Sequence, residues 1–251
     1  MSDDPGTACE NDIVAKVTAC EGNMPFLKVR IKGVPLRLAT PNRKCLYFAL
    51  EIEKREPEIN EWIAGLPEGE TFFDIGANNG IYGLVAATTR MAKVVAFEPH
   101  FASYNVICRN IYANGLQERM CALPLALSAE DGFGTFYLTD ISAGKSLNQF
   151  GSPSENADPI YNAVIPQAAI STSLDSYVQR TGIIPNHLKI DVDGLETEIL
   201  RGASETLARS SLKSVCIEVE EQFRPEIEGS LTAAGLGHVE HGNGNSIFFR
   251  D

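Results

Sequence analysis

At 251 residues, with 44% hydrophobic and 22% charged side chains, the chain has the make-up of one soluble α/β domain with an appendage and room for a sizeable core. Its formal net charge of −12 repels phosphate backbones and anionic lipid, which argues against non-specific nucleic-acid or membrane-surface binding. Six cysteines, at 9, 20, 45, 108, 121 and 216, include no C-x-x-C pair, so neither a zinc ribbon nor a thioredoxin-type site is indicated and reduced thiols are expected. The start, MSDDPGTACENDIV, lacks the basic region and apolar run of a secretory signal, and no 18-residue apolar stretch occurs. A cytoplasmic protein without membrane insertion is expected.

In chain order, residues 11–40 alternate apolar and polar positions around Gly33, as in FLKVRIKGVPLRL, and predict a hairpin. From about Lys44 to Ala64 the pattern is helical, with Pro57 breaking it into two segments. Residues 1–66 are therefore read as an N-terminal β-hairpin and helical cap, and 67–251 as the main domain. In the latter, TFFDI, a helix over 80–90, KVVAFE, a helix over 101–113 and CALPLAL follow one another. Short apolar runs between helical segments predict a parallel sheet with crossover helices. The pattern resumes with HLKIDV (187–192), a helix over about 195–208, SVCIEV (214–219), a helix over about 222–234 and a last, edge strand in NSIFFRD. GFGTFYL reads as an extra strand, and residues 139–163, rich in Ser, Gly, Asn and Pro, as a lid, a substrate loop or a surface insertion.

The segment FFDIGANNGIYG joins a strand ending near Asp74 to a helix start through Gly76 and Gly80, the geometry of a nucleotide site. A dinucleotide fingerprint requires glycine at 78, where Asn stands, and a P-loop requires Lys followed by Ser or Thr where Ile81 and Tyr82 follow Gly80. Asp74 would repel a phosphate and attract an ammonium or sulfonium group. Glu98, at the end of the next strand, can accept both hydroxyls of a ribose, as the acid about 20 residues on does in dinucleotide folds. Together these residues describe a site for S-adenosylmethionine.

The chain resembles the FkbM family of class I methyltransferases. The matching segments are FFDIGANNGIYGL, VVAFEPH, NIYANGL, ALSAEDG, TSLDSYV, LKIDVDGLETEILRGA and IEVEEQF, in the family's order over roughly residues 70–225. The resemblance implies a Rossmann-like α/β fold, with a mostly parallel seven-stranded sheet in the order 3-2-1-4-5-7-6 and an antiparallel last strand. It implies that Gly76, Ala77, Asn78 and Gly80 form the turn under the methionine part, with Asp74 nearby. Glu98 would hold the ribose, Pro99 would turn the chain away, and Ser128 would sit near the adenine.

A second acidic cluster follows the fourth strand of that order. Asp191 and Asp193 share a strand face if the strand persists; the family reading sets Asp191 beside the transferable methyl, with Asp193 and Glu196 behind it, although Asp193 could equally cap the next helix. Glu218 and Glu220 also share a face, and Glu220 is read as the one that reaches the cavity. A carboxylate such as Asp191, raised in pKa by Asp193 or Glu220, would serve as general base. The same acids could hold Mg²⁺, but no metal is expected. Each of the four histidines, 100, 187, 238 and 241, reads as a surface or packing residue. The implied reaction is O-methylation of a sugar, glycan or secondary metabolite, with a homodimer through the cap as an open expectation. A catalytically inactive interaction module and, disfavoured by Asn78, a nicotinamide-dependent oxidoreductase are the alternatives.

Overall fold

The computed structural model describes residues 12–18, 24–151, 165–242 and 244–250. A helix α1 (12–18), exposed throughout, precedes a hairpin of β1 (Phe26–Ile31) and β2 (Val34–Ala39) and the cap helices α2 (Arg43–Arg55) and α3 (Pro57–Gly65). The hairpin expected over 11–40 is thus confined to 26–39, closed by Lys32 and Gly33 at φ 47° and 83°. Asn42 caps α2 by accepting from the Cys45 N–H at 2.9 Å, and Pro57 opens α3, where its missing N–H costs nothing.

The main domain runs β3 (Thr71–Ile75), α4 (Ile81–Thr89), β4 (Lys93–Phe97), α5 (Phe101–Ala113), β5 (Met120–Leu123), β6 (Ala126–Leu127), β7 (Gly132–Leu138), β8 (Gln149–Phe150) and β9 (Ile165–Thr172). It continues with α6 (Leu174–Thr181), β10 (His187–Ile190), α7 (Glu196–Arg201), α8 (Ser204–Leu207), β11 (Ser214–Glu218), α9 (Arg224–Ala233), β12 (Leu236–His241) and β13 (Asn245–Arg250). Seven strands form the central sheet in the order β12-β13-β11-β10-β3-β4-β5, with β13 antiparallel to β11 and to β12. This is the 3-2-1-4-5-7-6 order in reverse. Successive residues of each strand face opposite sides. Accordingly Phe72, Val94, Ala96 and Cys216 pack under the cap, α4 and α5, while Phe73, Val95, Leu188, Ile190 and Val215 pack under α6, α7 and α9. No helix among the described residues is long and apolar enough to cross a membrane.

Three expectations need correction. β13 is an interior strand, because the C-terminal hairpin folds back and leaves β12 at the edge. The helix expected over 195–208 is two, α7 and α8, interrupted at Gly202, where a Cβ would lie 2.3 Å from the Ser128 carbonyl oxygen. The expected extra strand β7 has a partner that the sequence reading did not find. IPQAAIST forms β9, and β6-β9-β7-β8 make a separate four-stranded sheet.

The cap is tied to the amino-terminal end of the sheet by a buried polar chain. Trp62 Nε1 donates to Ser214 Oγ at 2.9 Å, Ser214 Oγ lies 2.7 Å from His187 Nδ1, and His187 Nε2 lies 2.7 Å from Glu70, which also pairs with Lys213. Since Ser214 accepts from the indole, its proton is free for Nδ1, so His187 carries its own proton on Nε2 and donates to Glu70. Burial, opposed by Glu70, lowers the His187 pKa and keeps the ring neutral. Ser214→Ala strands both the indole N–H and Nδ1, and is expected to lower stability by about 1–3 kcal/mol in denaturant titration.

Candidate active site at the carboxyl ends of the central strands

In an open parallel sheet the crevice lies beyond the carboxyl ends of the strands, at the point where strand order reverses. Here that point is β3, flanked by β4 and β10. Gly76 follows β3 at φ 72°, and a Cβ there would lie 1.8 Å from the Asp191 carbonyl oxygen, so only glycine lets the loops after β3 and β10 touch. The Gly76 and Ala77 N–H groups donate to the Phe97 carbonyl at 3.1 and 3.0 Å. Asn78 adopts φ 53°, which turns its N–H onto Glu98 Oε2 at 2.6 Å, and the other Glu98 oxygen accepts from the His100 N–H at 2.8 Å. Gly80, at φ 74°, then starts α4.

These residues wall a cavity of about 310 Å³. Of the expected site residues, Gly76, Asn78, Glu98, Pro99, Asp191 and Asp193 meet on its wall. Ala77 lines an adjoining recess of about 60 Å³, which shares Gly76, Asn78 and Asp191 with the main cavity and adds Tyr82 and Lys189. Gly80 packs behind the wall against Ile107. Asp74 also lies behind it, fully buried, with Oδ2 accepting from the Gly83 N–H at 3.0 Å and Oδ1 3.7 Å from Lys189 Nζ. Ser128 bonds through its N–H to the Thr172 carbonyl at 3.2 Å, and the preceding Leu125, Ala126 and Leu127 face the cavity in its place.

The acids after β10 divide their work. Glu196 accepts from the N–H groups of Val192 and Gly194, both at 3.0 Å, and so closes the turn that presents Asp193. Asp193, at φ 57°, accepts from the Leu147 N–H at 2.6 Å. That contact fastens residues 145–148 over the cavity, helped by Asn78 Nδ2 at 3.4 Å from the Lys145 carbonyl. The described part of the expected loop therefore lies across the site; residues 152–163 lie outside the described set.

Four residues of the site were not anticipated. Glu218 lines the cavity, whereas Glu220 is exposed outside it and accepts from Gln222 at 2.9 Å, because β11 ends at Glu218 and the strand alternation ends with it. Lys189 is buried within β10, with Nζ 3.1 Å from Asp191 Oδ2. A lysine inside the otherwise apolar strand HLKI was the signal for it. Arg55 and Glu56, at the end of α2, bring the cap to the cavity, and the Tyr82 hydroxyl donates to Glu56. His100 is buried against Ser103 at 3.1 Å, and the side chains of His238 and His241 lie outside the described set. Among the described residues no cluster of His, Cys, Asp and Glu could hold a metal ion.

Burial sets the proton balance. It pushes Glu98 up to about 8 against the opposing His100 and Asn78 N–H groups, and Glu218 to about 8, with the Asp191 charge adding to it. Burial and the neighbouring acids likewise take Glu196 to about 7 and Asp193 to about 6. The folded chain thus holds protons that the unfolded chain releases, so stability falls as pH rises towards these values. His187, with its lowered pKa, gives the opposite slope only below about its ordinary 6.5. Between pH 6.5 and 8 the Tm measured by calorimetry is therefore expected to fall. Gly76→Ala, which combines a left-handed φ with the Asp191 clash, is expected to cost about 2 kcal/mol or more in denaturant unfolding.

Comparison with known proteins bears on the family and the fold. The Methyltransferase FkbM domain matches residues 74–241. Methyltransferase sdnD of Sordaria araneosa is 26% identical over 203 residues, 69% of this chain and 76% of the relative. Methyltransferase 1 of Beauveria bassiana (strain ARSEF 2860) is 27% identical over 160 residues, 57% of this chain and 62% of the relative. Among solved structures, Methyltransferase FkbM from Methylobacillus flagellatus KT superposes with a TM-score of 0.52 at 13% identity, over 73% of this chain and 44% of that one. The chain thus spans less than half the length of that solved protein. With the domain matched over well over half its length, the chain belongs to the FkbM methyltransferase family, on a class I methyltransferase fold.

Proposed function

We propose that the chain transfers a methyl group from S-adenosylmethionine to a hydroxyl oxygen of a sugar, glycan or secondary metabolite. The observation that carries this reading is a cavity that joins a glycine turn to carboxylates at the carboxyl ends of three different strands: Glu98 after β4, Asp191 after β10 and Glu218 at the end of β11. Its residues fit the donor. The acids suit a cation, and among the described residues the buried Oδ1 of Asn78 has no hydrogen-bond partner and can accept from an ammonium group. When bound, S-adenosylmethionine supplies an electrophilic methyl group on a positively charged sulfur.

The chain's own residues then have separable tasks. Glu98, fixed by two backbone N–H groups, keeps a lone pair on each oxygen for the ribose hydroxyls. Residues 145–148, fastened through Asp193, keep water from the cavity and hold the acceptor in line. Asp191 receives the proton of the acceptor hydroxyl. Asp193 is occupied by the Leu147 N–H, and Glu220 is exposed and accepts from Gln222.

Glu98→Ala is expected to raise the Kd for S-adenosylhomocysteine about tenfold or more in calorimetry. Asp191→Asn should retain S-adenosylhomocysteine binding while turnover falls about 100-fold. Turnover is read by mass spectrometry as the gain of one methyl on an acceptor from a panel of sugars and glycans. Full turnover by Asp191→Asn would remove this residue from the mechanism, and no binding by the unaltered chain would favour an inactive module.

A further inference from the structure

Among the described residues Lys189 is the one fully buried cation in the neighbourhood of the site, and its place is costly. Desolvation disfavours its charge, yet Asp191, Asp74 and Glu56 together outweigh that and raise its pKa, so the ammonium persists. In the register of the sheet Lys189 stands beside Asp74 on the neighbouring strand. Its Nζ lies 3.7 Å from Asp74 Oδ1, 3.1 Å from Asp191 Oδ2 and 5.4 Å from the centre of the Tyr82 ring. Asp74 is sealed in the core and Asp191 lies on the cavity wall, so the lysine links an anchor to a working carboxylate. Its own side chain lines the recess that Asp191 shares with the main cavity. Among the described residues Lys189 is the only cation paired with Asp191.

Stability alone gives little reason to keep such an arrangement. Well-packed apolar or neutral replacements of buried ion pairs are often neutral or stabilising, whereas removing one partner alone is strongly destabilising. A carboxylate on a cavity wall without a donor to hold it samples several rotamers, and each misplacement weakens its field at a fixed point.

We infer that Lys189 is a positioning residue: anchored on Asp74, its ammonium aims the Asp191 carboxylate at the positively charged sulfur of the methyl donor. The inference rests on the methyl-donor reading of the cavity. It explains why Asp74 is present although it does not reach the cavity, and why a lysine interrupts the apolar run of β10.

The test is the affinity for S-adenosylmethionine relative to that for S-adenosylhomocysteine, which differ by the charged sulfur and need no acceptor. Asp74→Asn combined with Lys189→Met removes one acid and one base, leaves the formal charge unchanged, and keeps an oxygen for the Gly83 N–H. The pair is expected to fold, with a Tm within a few degrees of the parent. The ratio of the two affinities, by calorimetry, should shift against S-adenosylmethionine about fivefold or more. Asp74→Asn with Lys189→Gln, which restores a hydrogen-bond donor to Asp191, should recover part of that shift and serves as the folding safeguard. In an Asp191→Asn background neither pair should shift the ratio further, since the lysine acts through that residue. An unchanged ratio in a folded pair, or equal additive shifts with and without Asp191, would overturn the inference. Failure of the unaltered chain to bind either nucleoside would instead overturn the donor reading, and the inference with it.

Discussion

The site depends on a missing methyl group. Because Gly76 has no Cβ, the Asp191 carbonyl oxygen can occupy the space that a side chain would take, and the loops after β3 and β10 close on each other. That contact sets Gly76, Asn78 and Asp191 side by side on the cavity wall. The same turn puts the Asn78 N–H onto Glu98, carries Asn78 over the recess and brings Asp191 beside both. A larger residue at 76 would separate the two halves of the sheet where their strand order reverses, which is where an open α/β sheet binds its ligand.

The closure concentrates acids in a poorly solvated space, and the fold answers in three ways. Backbone N–H groups hold Glu98 and Glu196, Lys189 offsets Asp74 and Asp191, and the remaining strain appears as carboxyls whose pKa values are raised. An acid-rich cavity whose carboxyls hold protons is suited to a cationic ligand, which would take over part of their role. The proton-holding acids are Glu98 and Glu218, and Asp191 sits beside a lysine.

The sheet was legible because its central strands are buried on both faces and read as short, mostly apolar runs, and the order of the matching segments supplied the topology. The glycine turn and Glu98 were legible for a similar reason: local chemistry fixes both. What the sequence concealed depends on contacts between distant segments. Glu220 reads as the acid that reaches the cavity until β11 is seen to stop at Glu218. Asp74 looks like a ligand of the cavity until β10 is laid beside it and Lys189 is found between. β9 has alanines, a proline and serine where a strand signal would show hydrophobic alternation, and it is stabilised by its pairing with β7. Asp193 could be read as a helix cap or as a site acid, but its partner, the Leu147 N–H, comes from 46 residues earlier.

The cap and residues 145–148 also line the cavity, outside the strand-and-turn framework. Arg55 and Phe48 from α2, Lys145, and Phe150 from β8 are among the residues that line it. The most direct test of the account is a crystal structure of the chain grown with S-adenosylhomocysteine. It should place the ribose hydroxyls on Glu98, the amino group beside Asn78, and the sulfur next to Asp191. A nucleoside bound elsewhere on the chain, or a cavity in which Glu98 and Asp191 do not touch it, would contradict the account.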